Sequence, residues 1–224
     1  MDKFRSKIIA ALLVLVFLFL SSPAPEPLAA ATLEYWVDLA YNSSTPGWGL
    51  THFSSIQAAI DVADSGGTIH VACGEYIENV LIEKSITLSG ADPQTTIINA
   101  NRLDSCIRIY NVSHVRVEGF TLSGSKVGDS EYTYYAINAQ NATHVTFQNC
   151  RVIDIAFSLE NCNEWSIEGN YIDAHAPLTL DLCHSIVFND NDVIARHPLG
   201  VALIRSHENT ITNNRITSWP EGPA

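Results

Sequence analysis

Five stretches of the chain align without gaps: VRVEGFTL (115–122), VTFQNCRV (145–152), WSIEGNYI (165–172), IVFNDNDV (186–193) and NTITNNRI (209–216). They start 30, 20, 21 and 23 residues apart. Self-similarity at a period in the low twenties belongs to solenoids, in which each repeat buries its apolar face only by stacking on the next. With the first residue of each stretch as position zero (Val115, Val145, Trp165, Ile186, Asn209), position +2 holds Val117, Phe147, Ile167, Phe188 and Ile211. Position +7 holds Leu122, Val152, Ile172, Val193 and Ile216. Position −8 holds Ile107, Ile137, Phe157, Leu178 and Val201, and −6 holds Ile109, Ala139, Leu159, Leu180 and Leu203. Within each coil these columns form three short alternating runs, and a period of two means a strand with one buried face. Three short strands per coil of 20–23 residues describe an all-β parallel β-helix. A leucine-rich repeat of similar period needs one strand and a fixed Leu-x-x-Leu-x-Leu frame, which the sequence lacks.

The turns are legible in the same register. Position +4 reads Gly119, Asn149, Gly169, Asp190 and Asn213, residue types that tolerate left-handed backbone. Position +5 ends in Asn170, Asn191 and Asn214. Coils stack about 4.8 Å apart, so these amides are expected to hydrogen-bond along the stack as a structural ladder. Ahead of the repeat, HFSSIQAAIDVADSGG (52–67) sets Ile56, Ala59, Ile60 and Ala63 on one helical face, with Ser54 or Ser55 as cap and Gly66-Gly67 as stop. This helix is expected to plug the N-terminal end of the coil and cover its strand edges.

The first residues read as a signal peptide over 1–31: Lys3, Arg5 and Lys7, an apolar run Ile8–Leu20, then small residues in PLAAA. Residues 32–52 are a lead-in, 53–217 the β-helix domain and 218–224 a tail. Thirteen apolar residues are too few to span a bilayer, and no later segment is long enough. The expected location is secreted or cell-surface, periplasmic in a Gram-negative source. The formal net charge of −12, without a basic run, argues against nucleic acid. Five cysteines (Cys73, Cys106, Cys150, Cys162, Cys183) with no Cys-x-x-Cys pair indicate neither a disulfide framework nor a zinc ribbon. Cys162 and Cys183 share an inward column and are expected as buried free thiols. Asn42, Asn111 and Asn141 head glycosylation sequons.

The stretch FSSIQAAIDVADSGGTIHVACGEYIENVLIEKSITLSGADPQTTIINA (53–100) resembles the opening of pectin-lyase-like right-handed β-helix proteins. The pattern is similar above all to NosD-like and carbohydrate-associated (CASH-type) secreted surface proteins. The resemblance covers residues 35–217 and implies a right-handed coil. It does not imply one chemistry, because this fold carries lyases, hydrolases, esterases and binding proteins. The polygalacturonase Gly-His-Gly and Asn-Thr-Asp, the methylesterase Asp-Phe-Ile-Phe-Gly and the pectate lyase Arg-x-Pro-x-x-Arg are all absent from the sequence.

In proteins of this kind ligands lie on the outer face of the strand that starts at −8. Its outward column at −5 reads Tyr110, Gln140, Glu160, Asp181 and Ile204. Glu160 and Asp181, roughly 5 Å apart by strand spacing, are the candidate acid/base pair or Ca²⁺ ligands. Tyr110 and Gln140, with Tyr132, Tyr134 and Tyr135 from the insertion 123–135, complete a candidate sugar platform. His114, His144 and Glu164 share column −1 and are candidate metal ligands, the copper role that a NosD-like protein implies. His184 and His207 share column −2. The leading expectation is an exported β-helix that binds polysaccharide or cell-surface glycan without catalysis. The alternatives are a polysaccharide lyase or glycoside hydrolase using Glu160 and Asp181, and a NosD-like metal accessory protein. The last coil is expected to be open, pairing with a further domain or another chain.

Overall fold

Strands only two to six residues long cannot hold a sheet alone; here each finds its partner on a neighbouring turn of the chain. The computed structural model describes residues 33–124, 135–154, 156–175, 177–196 and 200–218. All pairing between its strands is parallel, in three sheets. The nine-stranded sheet runs His52–Phe53, Glu34–Val37, Thr68–Val71, Thr87–Gly90, Ser113–Glu118, Thr143–Gln148, Asn163–Glu168, Val187–Asn189, Thr210–Thr212. The seven-stranded sheet runs Gly74–Tyr76, Thr96–Asn99, Thr121–Ser123, Arg151–Asp154, Tyr171–Ala174, Asp192–Ala195, Arg215–Ser218. The six-stranded sheet runs Val80–Ile82, Ile107–Tyr110, Ile137–Gln140, Phe157–Glu160, Leu178–Asp181, Val201–Ile204. The chain visits the sheets in that order on every coil, which makes the molecule a parallel β-helix.

The columns read from the sequence are the observed register. Val145 pairs with Val115 and Trp165, Ile137 with Ile107 and Phe157, and Val152 with Leu122 and Ile172. The inward columns form one continuous core. Phe147 and Phe157 meet edge to face at 5.1 Å, and the buried Trp165 donates its indole N–H to the Ala142 carbonyl at 3.0 Å. Each such aromatic stabilises the stack by about 1.5–3 kcal/mol through burial. The columns surface at Leu203, Ile211 and Ile216, beyond which no described strand lies.

Left-handed backbone occurs three times in each of the five aligned coils. Gly119, Asn149, Gly169, Asp190 and Asn213 all have positive φ, as position +4 predicts. Column −4 (Asn111, Asn141, Asn161, Leu182, Arg205) and column −1 (His114, His144, Glu164, Ser185, Glu208) have it too. Leu, Arg and Glu pay roughly 1–2 kcal/mol each there, offset by the flanking sheet hydrogen bonds. At position +5 the buried Asn170 donates from Nδ2 to Asn191 Oδ1 at 3.0 Å, and Asn191 does the same to Asn214 at 2.9 Å. Backbone N–H groups join in: Asn170 donates to Asn191 Oδ1 at 3.0 Å and Asn191 to Asn214 Oδ1 at 2.8 Å.

In the N-terminal part the lead-in joins a sheet, and the helix is shorter than expected. The lead-in is part of the nine-stranded sheet: Glu34–Val37 lies between His52–Phe53 and Thr68–Val71. Its alternation was hidden because these pairings fall outside the twenty-residue period. The helix, α1, spans only Ile56–Val62 and ends at Ala63, well before Gly66-Gly67. It is capped at its start by Ser55 and by Glu78 of the following coil, whose carboxylate accepts from the Ile56 and Gln57 N–H groups, both at 3.0 Å. Gln57 acts as a strand surrogate: its Oε1 accepts from Leu81 N at 2.7 Å and its Nε2 donates to Leu81 O at 3.3 Å. One side chain thereby satisfies the edge of the six-stranded sheet. Cys162 and Cys183 are free and buried. The hydrogen bond to Cys183, together with burial, pushes the Cys162 thiol up.

Candidate functional site

The six-stranded sheet presents two outward files. Tyr110, Gln140, Glu160 and Asp181 stand in register, one per coil, as the sequence columns require. Beside them runs a second file, Arg108, Asn138, Ser158 and Thr179. The signal for it was column −7, polar in every one of these coils and passed over because its residue types differ. Together the files make a hydrogen-bonding face four coils long, begun by a phenol and a guanidinium.

The carboxylates on this face already have partners. Gln140 Nε2 donates to Glu160 Oε2 at 3.1 Å. Arg205 clamps Asp181 with two bonds, Nε to Oδ1 at 3.0 Å and Nη2 to Oδ2 at 2.6 Å. The Asp181 hydrogen bonds raise the Arg205 guanidinium above its ordinary value, and Glu160 adds in the same direction. Arg205 lies on the next coil, one residue past the Asp181 register, so reading straight columns misses it. Glu160 and Asp181 are strand neighbours, as their shared column requires, and Asp181 carries its own counter-charge in Arg205. Arg108 is bound to Asp104 at 3.0 Å, while its Nε is buried without a hydrogen-bond partner. Burial raises the Tyr110 hydroxyl, so it remains a neutral donor.

The other candidates separate. Tyr132 and Tyr134 lie outside the described residues. Tyr135 is half-buried and joined by its backbone to the neighbouring coil, its N–H donating to Ser105 Oγ and its carbonyl accepting from Cys106 N, both at 3.1 Å. His114, His144 and Glu164 do stack: the imidazoles lie 4.7 Å apart and His144 Nε2 reaches Glu164 at 2.5 Å. Among the described residues no group of three His, Cys, Asp or Glu side chains is placed to hold a metal ion. His184 and His207 stack similarly at 5.5 Å. Asn42, Asn111 and Asn141 are exposed, and Asn141 is bonded along its column to Asn111 at 2.9 Å and Asn161 at 2.7 Å.

With this geometry in place, comparison with known proteins is direct. The family described as right handed beta helix region matches residues 105–218, just over half of the chain. The chain belongs to the right-handed β-helix family. The β-helix is also similar to a cell surface glycoprotein of Methanothermus fervidus, 34% identical over 99 residues, which make up 43% of this chain and 15% of that protein. Among solved structures it is similar to pectin methylesterase PemA from Erwinia chrysanthemi, with a TM-score of 0.58 and 14% identity over 75% of this chain and 57% of that one. A pectin methylesterase solved with a hexasaccharide gives a TM-score of 0.61 and 15% identity over 86% of this chain and 68% of that one. At these identities the structural likeness concerns the fold. The β-helix spans about a seventh of the glycoprotein's length and 57% of PemA.

Proposed function

We propose that this β-helix is an exported, cell-surface module that binds polysaccharide along the outer face of its six-stranded sheet without cleaving it. The observation that carries the reading is the double file itself: Arg108, Asn138, Ser158 and Thr179 beside Tyr110, Gln140, Glu160 and Asp181, in register over four coils. Such a face offers donors and acceptors at every coil and a phenol ring at one end, which suits an extended, hydroxyl-rich chain. Engagement of Glu160 by Gln140 and of Asp181 by Arg205 favours recognition over acid/base catalysis, which needs a carboxylate poised to exchange a proton. Similarity to a protein named as a cell surface glycoprotein supports the location, as does the signal-peptide pattern of residues 1–31. No helix among the described residues is long and apolar enough to cross a membrane.

The test is affinity electrophoresis of the chain in gels holding neutral or acidic polysaccharides, with reducing-end release measured in parallel. Retardation by at least one polysaccharide is expected, without release of reducing ends. Arg108→Ala and Glu160→Ala should each weaken retention roughly tenfold, the loss of one charge-assisted hydrogen bond of about 1.5 kcal/mol. Retention by none of the polysaccharides, or retention unchanged in both variants, would sink the proposal; release abolished by Glu160→Ala would replace it with an enzyme.

A further inference from the structure

The nine-stranded sheet carries a separate ring-bearing surface near its N-terminal edge. His52, Trp36 and His70 are register partners on three adjacent strands. Their rings form a stack, His52 to Trp36 at 5.2 Å and Trp36 to His70 at 5.9 Å, nearly parallel, with Tyr41 edge-on to His52 at 5.0 Å. The next residue in the file is Ser89, followed by Glu118. The stack therefore stops where the side chain shrinks. At that step a cavity of about 230 Å³ opens, its walls including Trp36, Tyr41 and His70 and its floor Ser89, Gly90 and Ala91.

The notch is held open by packing beneath it. A Cβ at Gly90 would stand 2.3 Å from the Gly119 carbonyl oxygen, so the floor cannot rise there without moving the backbone of the next coil. The carboxylates nearby are already engaged: Glu34 hydrogen-bonds His70, and Glu118 takes Arg116 at 2.8 Å and the Gln148 amide at 2.9 Å. An occupant needs one flat apolar face for the imidazole and polar edges for the Ser89 hydroxyl, and the lining offers no carboxylate or guanidinium to pair a charge.

We propose that this notch binds a single neutral pyranose ring, which occupies the place in the stack that Ser89 leaves vacant. Its C–H face lies on His70, opposite Trp36, and its hydroxyls meet Ser89. The site is on a different sheet from the polysaccharide face and stands independently of it.

Saturation-transfer NMR on the full chain tests this, with the methyl β-pyranosides of glucose, galactose and mannose as probes. Transfer to at least one probe is expected in the wild type and in Glu160→Ala. It should be lost in Ser89→Phe, which fills the vacant place with a ring, and in His70→Ala, which removes the platform. Circular dichroism checks that each variant folds, and Ser89→Phe alone decides if His70→Ala does not. Absence of transfer to all three probes from folded wild type, or transfer that survives Ser89→Phe, overturns the proposal. Loss of transfer in Glu160→Ala would move the site to the six-stranded face and overturn it equally. Polysaccharide retention by Ser89→Phe, measured in the same gels as above, reports on the other face separately.

Discussion

Replacing Asn191 by alanine isolates the contribution of the stacked amides. Asn191 is buried, and its Oδ1 accepts both the backbone N–H and the side-chain amide of Asn170, each at 3.0 Å. Its Nδ2 donates to the Ile167 carbonyl and to Asn214 Oδ1, each at 2.9 Å. Truncation strands the Asn170 N–H and one hydrogen of its amide in a place water does not reach, and takes a donor from Ile167. Each stranded buried donor costs about 1–3 kcal/mol, so Asn191→Ala should destabilise by about 2–5 kcal/mol. Against a total of about 5–15 kcal/mol that is a large fraction. Asn214 plays the same role toward Asn191 but is itself half-buried, so truncating it lets water reach the two Asn191 donors and Asn214→Ala should cost clearly less than Asn191→Ala. Denaturant unfolding gives the overall change. Because a solenoid is stabilised by nearest-neighbour interfaces, hydrogen exchange of the Asn170 amide gives the local one. Equal, small effects of the two substitutions with Asn170 still protected would refute the reasoning, showing that the amide chain is dispensable.

Three further outcomes are expected. Gly119→Ala places a Cβ 2.4 Å from the Gly90 carbonyl oxygen, whereas Gly169→Ala meets nothing within 4 Å although both have positive φ; thermal melts should show a loss of about 1–2 kcal/mol for Gly169→Ala and clearly more for Gly119→Ala. A thiol reagent at pH 8 should modify Cys73, the exposed cysteine, in the native chain and all five only after denaturation. Stability should fall at alkaline pH: burial pushes the Cys150 thiol from 9.0 and the Tyr76 hydroxyl from 10.0 up to about 12. Below pH 9 both are protonated folded and unfolded, so their stabilisation is complete. Between pH 9 and about 12 the unfolded chain ionises first and that stabilisation is lost. Melts under reductant at pH 8 and 10.5 check this, and Cys150→Ala should flatten the dependence.

The coil, its three strands and the turn at +4 were legible because they rest on properties local to each residue. Alternation of Val145 and Phe147 with polar neighbours marks a half-buried strand wherever it occurs, and stacking forces equivalent residues to share one environment, so the columns betray the period. The turn at −4 was legible where Asn111, Asn141 and Asn161 fill it, but not at Leu182 or Arg205, and the left-handed turn at −1 was not, since residues such as Glu164 adopt it only because flanking strands leave no other path. Residues that act across coils on a diagonal escaped for a related reason. Arg205 reaches Asp181, Glu78 caps α1, and Gln57 completes the edge strand at Leu81, all at separations of 21–24 residues. The stack of His52, Trp36 and His70 lies furthest from the sequence: its members come from a strand order in which His52–Phe53 lies outside Glu34–Val37, so chain order and spatial order disagree. Sequence by itself therefore determined what repeats, since repetition needs only like residues on like neighbours. Tertiary structure alone decided which unlike side chains meet, because that depends on the lateral offset of one coil on the next, which no single coil contains.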